Sequence, residues 1–249
     1  VKNPNANPDN VNKAYGMIQA AEMAIESMKK PISYEPINIG PGINTDRPEY
    51  FPTITVDGKT ILFTRRIIDK APNGQPFEQE DFYVSNLSDK GAWQTAIARP
   101  KNINTQFNEG APTIGADGRS LIFVACAMGD IADYGDNRKG VGSCDLFVTK
   151  RLGTRWSDPA NLPGKINTMA WESQPSLSAD GKTLYFIRRV SKQGAAQDSD
   201  IFTSTLQADG TWSQATRLPN TINTPFKEES VLIHPDGRTL YFASRGHKG

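Results

Sequence analysis

The stretch Ile166-Asn167-Thr168-Met169-Ala170-Trp171-Glu172-Ser173-Gln174-Pro175-Ser176-Leu177-Ser178-Ala179-Asp180-Gly181-Lys182-Thr183-Leu184-Tyr185-Phe186 decides the fold, because its pattern is written four times in the chain. The triplet Ile-Asn-Thr begins at Ile43, Ile103, Ile166 and Ile222, and six residues after each Ile stands Glu49, Glu109, Glu172 or Glu228. Fourteen residues after each Ile comes Asp57-Gly58, Asp117-Gly118, Asp180-Gly181 or Asp236-Gly237. Each pair leads into an apolar run: Thr60-Ile61-Leu62-Phe63, Ser120-Leu121-Ile122-Phe123, Thr183-Leu184-Tyr185-Phe186 and Thr239-Leu240-Tyr241-Phe242. Offsets held over four copies mark a repeat architecture, in which each unit buries its apolar face against the next.

Outward from that core, Asp-Gly between two strand-like runs is a strong hairpin signal, and a tight primed turn is expected there because Gly supplies positive φ. Each full unit continues with an Asp-led strand, Asp81-Phe82-Tyr83-Val84, Asp145-Leu146-Phe147-Val148 or Asp200-Ile201-Phe202-Thr203, and then a Trp, at 93, 156 or 212. That makes four strands, A to D, per unit. The fold class is therefore all-β: a β-propeller of four-stranded antiparallel blades, three full and one half, preceded by one α-helix. Propellers close with about 4–8 blades, so the chain is expected to be a piece of a longer or cleaved protein, or to be completed by another chain.

Residues 1–35 differ from 36–249, and the two are expected to be separate domains. Val11, Ala14, Tyr15, Ile18, Ala21, Ile25 and Met28 fall at helical spacing, with Asp9 or Asn10 placed to cap a helix over about 10–30 and Lys29-Lys30-Pro31 placed to end it. With 28 Lys+Arg against 27 Asp+Glu, the charge is balanced and lacks the basic excess that phosphate binding demands, so nucleic acid is excluded as a partner. No apolar run approaches the ~18 residues of a membrane helix, and a soluble chain is expected.

Blade three fits a known pattern best: Ile166-Asn167-Thr168, Glu172, Pro175, Ser178-Ala179-Asp180-Gly181, Leu184-Tyr185-Phe186, Asp200-Ile201-Phe202 and Trp212. It resembles the WD40-like, TolB-type propeller repeat. Blade two departs by carrying Cys126 where the others have Arg66, Arg189 and Arg245. The helix, the repeat and the Cys-bearing second blade together resemble the outer-membrane lipoproteins of Bacteroidetes that include the PorE-type component of the type IX secretion system. That resemblance implies residues 1–35 to be the end of a tetratricopeptide region. It also implies a periplasmic, outer-membrane-associated location, envelope or secretion-system proteins as partners, and peptidoglycan binding only through a domain outside this chain.

Cys126 ends strand B and Cys144 opens strand C of one blade, so antiparallel pairing brings them together and a disulfide is expected, closing the polar, Gly-rich loop 127–143. The alternative is a pair of reduced buried thiols in a cytosolic protein; two Cys and two distant His make no zinc site. Asp130, Asp133, Asp136 and Asn137 in that loop space oxygens as calcium ligands do, without the closing Glu of an EF-hand. Glu49, Glu109, Glu172 and Glu228 open the innermost strands and would ring one mouth of the central channel, binding a cation or a basic segment. The competing reading has each carboxylate serving its own blade, paired with a neighbouring Arg or capping backbone N–H groups. Asn44, Asn104, Asn167 and Asn223 suit Asx turns, the three Trp suit packing between blades, and His234 sits where the other copies have turn residues.

There is no Gly-x-Ser-x-Gly elbow, no His-Glu-x-x-His and no convergent titratable cluster, so no catalytic residue, no metal and no cofactor is assigned, and the chain is read as not an enzyme. The function expected is a protein-binding scaffold of the bacterial envelope, with the B–C loops, about 67–80, 127–143 and 190–199, as the partner-reading face and the opposite face plain. The alternatives are a glycan- or ion-binding sensor or, last, a propeller hydrolase.

Overall fold

The computed structural model describes residues 7–29, 31, 35–70, 74–127, 133–135, 138–190 and 198–247. Two compact units are present, Val1–Ile37 with Gly246–Gly249, and Asn38–Arg245. In the first, α1 (Pro8–Lys29) begins two residues earlier than the sequence predicts. Val11 N donates to Asn7 O (3.1 Å), so the cap falls at Asn7, and Pro8 takes the first-turn position that its missing N–H and fixed φ favour. Tyr15, Ile18, Ile25 and Met28 of α1 are exposed, and among the described residues no helix is long and apolar enough to cross a membrane.

The second unit is a β-propeller arc. Blade one is β1 (Glu49–Ile54), β2 (Thr60–Lys70), β3 (Pro76–Asn86) and β4 (Ile97–Ala98), paired antiparallel in that order. Blade two is β5 (Asn108–Ile114), β6 (Ser120–Cys126) and β7 (Cys144–Leu152), whose outer edge pairs with both β8 (Arg155–Trp156) and β9 (Ala160–Asn161). Blade three is β10 (Glu172–Leu177), β11 (Thr183–Val190), β12 (Asp198–Thr205) and β13 (Thr216–Arg217), and the half-blade is β14 (Glu228–Ile233) with β15 (Leu240–Ser244). The B–C hairpins of blades one and three are longer-stranded than the sequence suggests, since β2 reaches Lys70 and β12 starts at Asp198.

The core lies between blades, as face-to-face packing of sheets requires. Leu62 and Phe82 of blade one meet Leu121, Phe123 and Phe147 of blade two. Ile122, Val124 and Leu146 of blade two meet Leu184 and Phe186 of blade three. Trp156 and Trp212 pack against these two clusters, as expected. The A–B turns keep the predicted Gly but not the predicted type. Gly58 N donates to Thr55 O (2.8 Å) and Gly58, at φ 68°, is left-handed while Asp57 is not, which is a type I turn closed by a glycine rather than a primed pair.

The Asn residues of the repeat do more than shape turns. Asn104 accepts from Phe82 N and donates to Phe82 O, both at 3.0 Å, and Asn223 grips Ile201 in the same two ways (2.7 and 2.9 Å). Asn167 does so at Leu146. Each buried amide thereby ties its own blade to strand C of the blade before it, meeting the strand's N–H and sharing its C=O with a backbone N–H of strand D or the residue after it.

Candidate functional site

The four repeated glutamates lie opposite fixed positions of strand B: Glu49 pairs with Arg65, Glu109 with Ala125, Glu172 with Arg188 and Glu228 with Ser244. Glu109, Glu172 and Glu228 are fully buried. In each blade the Thr of Ile-Asn-Thr donates its hydroxyl to the carboxylate: Thr45 to Glu49 (2.6 Å), Thr105 to Glu109 (2.7 Å), Thr168 to Glu172 (2.6 Å) and Thr224 to Glu228 (2.6 Å). Arg65 and Arg188 add Nε–H bonds of 2.9 and 2.7 Å and reach back to the carbonyls of Ile43 and Ile166. The carboxylates accept inside their own blades from the Thr backbone N–H as well, and at Glu228 the place of the strand-B arginine is taken by Ser244, whose hydroxyl donates at 2.9 Å.

Blade two has Ala125 in place of that strand-B arginine, and Arg138 of the B–C loop enters instead. Its Nη1 lies 2.8 Å from Glu109 Oε1 and its Nη2 donates to Ile103 O (2.6 Å) and Asn102 O (3.0 Å). The guanidinium sits over Phe123 and Phe147, as Arg188 sits over Phe186 and Phe202 and Arg65 over Phe63 and Tyr83. Thr, Glu, two aromatic rings and a guanidinium recur in three blades, with the charge arriving by two routes.

The described residues of the loop that carries Arg138 are anchored at several points. Cys126 and Cys144, opposite each other in the β6–β7 ladder, form the expected disulfide. Tyr134 is buried against Phe147 and donates to Gly142 O (2.6 Å). Asp145 accepts from Val141 N (2.7 Å), Gly142 N (3.0 Å) and Asn161 Nδ2 (2.8 Å). Gly140 and Gly142 admit no side chain, because a Cβ there would overlap the Tyr134 ring or the Ala170 carbonyl. Of the four oxygens suggested for calcium, Asp130, Asp136 and Asn137 lie outside the described residues, and Asp133 caps Gly135 N at 3.0 Å. Among the described residues no three His, Cys, Asp or Glu side chains converge as a metal site needs.

Burial sets the electrostatics of this layer. It pushes the Glu109 carboxyl up to about 7 against the opposing pull of Arg138 and Thr105, raises Glu172 as well, and raises the Tyr134 phenol with help from Asp145. His234 stays a turn residue, its carbonyl accepting from Gly237 N (2.9 Å).

The A strands carry a feature that the sequence reading missed. Phe51, Ala111, Gln174 and Ser230, eight residues after each repeat Ile, all have positive φ (49°, 48°, 51° and 56°), and the A–B register shifts there in every blade. These bulges border a 240 Å³ cavity between the inner strands. The fixed offset, with Pro next in three copies, is the signal that marks it. Two further cavities, of 720 and 660 Å³, open between blades at the A–B turn end, the face expected to be plain.

No protein-family model and no curated protein matches the chain. Solved structures resemble it in fold: a Mycobacterium tuberculosis puromycin-hydrolyzing peptidase (16% identity, 70% of this chain and 23% of that one, TM-score 0.39), an oligogalacturonate lyase in complex with manganese (14%, 81% and 47%, 0.41) and Cellvibrio cellulosa alpha-L-arabinanase complexed with arabinohexaose (12%, 86% and 75%, 0.42). The chain spans less than half the length of the first two. The reading of the chain as not an enzyme is corrected by these likenesses, since all three proteins are enzymes and an architecture of this kind does not exclude catalysis. The likeness is one of fold and carries no substrate or catalytic residue to this chain.

Proposed function

We propose that the chain is part of a protein-docking scaffold of the bacterial cell envelope, working on the periplasmic side of the outer membrane and associated with type IX secretion. The observation that carries this reading is the anchoring of the blade-two loop by a disulfide, a buried tyrosine and a buried arginine pair. Tyr134, Arg138 and the 139–143 backbone are held by these contacts, which lowers the ordering cost of binding a partner there. The disulfide fits an oxidising compartment such as the periplasm. In this reading α1 ends a tetratricopeptide segment and peptidoglycan contact belongs to a domain outside this chain.

The test is affinity capture of the intact protein from cross-linked cell envelopes, with and without replacement of residues 128–132 by a Gly/Ser stretch of equal length, which leaves Tyr134, Arg138 and both cysteines in place. Loss of specific envelope partners with an unchanged melting temperature is expected. An unchanged partner set, or fractionation of the intact protein with the cytoplasm, would sink the proposal.

A further inference from the structure

The two inter-blade clefts at the A–B turn end are the same site built twice, and backbone hydrogen bonds give their correspondence. Arg99 N donates to Phe82 O (2.9 Å) as Leu162 N does to Leu146 O (2.9 Å) and Leu218 N to Ile201 O (3.0 Å). Arg151 N donates to Arg119 O (2.8 Å) as Leu87 N does to Lys59 O and Leu206 N to Lys182 O (2.8 and 2.7 Å). Arginine thus stands at two positions where the other repeats carry leucine.

Both departures fall in one place. The 660 Å³ cleft between blades one and two is lined by Arg99, Arg151 and Trp156, whereas its 720 Å³ counterpart between blades two and three is lined by Leu162, Leu206 and Trp212. The Arg99 guanidinium lies 5.2 Å from the Trp156 ring, and its Nε is buried with no hydrogen-bond partner. Among the described residues no carboxylate pairs with either arginine. Asp57 and Asp117 also line the cleft, but Asp57 accepts from Thr55 Oγ1 (2.6 Å) and Lys59 N (3.0 Å), and Asp117 from Arg119 N (2.8 Å), within their own turns. Burial and the like charge of Arg151 both act against protonated Arg99. Arg151 Nε donates to Gly153 O (3.1 Å), so the open donor in the cleft is that of Arg99. A repeat that needed only packing there has leucine available, and two neighbouring cations with an unmet donor favour an anion from outside.

We infer that this cleft is a binding site for an organic anion that carries a carboxylate beside an apolar group. The carboxylate meets the forked donors of Arg99 and Arg151, and the apolar group lies against Trp156, Leu62 and Ile114. The same chemistry occurs in a free carboxylic acid and in an acidic side chain next to an aromatic one in a peptide.

Isothermal titration of the chain with 3-phenylpropionate, with its uncharged analogue 3-phenylpropanamide and with the dipeptide acetyl-Phe-Glu-amide tests it. The propionate or the dipeptide is expected to bind more than about tenfold tighter than the propanamide, the tighter of the two naming the source. The double substitution Arg99→Leu and Arg151→Leu restores the repeat's own residues, so it is expected to keep or raise the melting temperature while lowering anion affinity by more than about tenfold. Absence of anion binding, equal binding of the propanamide, or unchanged affinity in the folded double variant overturns the inference; the propanamide arm needs no variant to fold.

Discussion

Blades two and three bury the same glutamate and neutralise it by different routes. In blade three Arg188 stands directly across the A–B ladder from Glu172. In blade two the facing residue is Ala125, and Arg138 returns from a loop 29 residues beyond Glu109. The in-strand arginine is positioned by local sheet geometry alone. The loop-borne arginine needs a disulfide, Tyr134 and two side-chain-free glycines to hold it. The difference teaches that the three full blades keep an electrostatic pairing rather than a residue position, and that blade two converts the pairing into an anchor for a surface loop.

The largest expected break in this comparison is Arg138→Ala. It strands a fully buried carboxylate and is expected to cost about 4 kcal/mol at pH 8 in urea unfolding, as loss of one partner of a buried pair does. The cost should shrink at pH 5.5, where Glu109 takes up a proton. Adding Ala125→Arg to that variant rebuilds the blade-three arrangement and should recover most of the loss; no recovery would mean that the two routes are not equivalent.

Replacing both Cys126 and Cys144 by Ser comes next, at about 3 kcal/mol for a loop of this length. Because the bridge also positions Arg138, Arg138→Ala should cost less in the Ser variant than in the parent, and strict additivity would argue against the coupling.

The pH dependence is the third test. Glu109 titrates near 7 in the fold against its ordinary 4.5 when unfolded. Between those values the native state holds the extra proton, so stability falls as pH rises from about 4.5 to about 7. Glu109→Gln should flatten that fall by on the order of 2 kcal/mol, leaving the smaller slope due to Glu172. A slope unchanged by the substitution would show that Glu109 is ionised throughout.

The smallest effect belongs to the bulges, which blades two and three share with the others. Ser230 is exposed and left-handed at φ 56°, so Ser230→Gly should stabilise the half-blade by about 1 kcal/mol in a thermal melt. Gln174→Gly should gain less, because it also forfeits the bond from Ser230 N to Gln174 Oε1.

By itself the sequence determined the blades. Hairpin turns, alternating apolar runs and Asp-led strands are local signals, written in residues a few positions apart, and four aligned copies make each one legible. The disulfide was legible for the same reason, since Cys126 and Cys144 bracket one hairpin and antiparallel pairing alone brings them opposite. The A–B turn type and the helix cap were misjudged because one φ value, or the choice between Asn7 and Asp9, rests on a single hydrogen bond.

What only the tertiary structure decided are the contacts that cross between loops and blades. Arg138 meets Glu109 through the path of an irregular loop, and the only trace in the sequence is an arginine absent at position 125 and present at 138. Asn104, Asn167 and Asn223 pair with strand C of the preceding blade, and Arg99 and Arg151 come from different blades to line one cleft. Periodicity fixes which face of a strand is buried. It does not fix which side chain of the neighbouring blade stands opposite, because that depends on how sheets twist and pack as rigid layers.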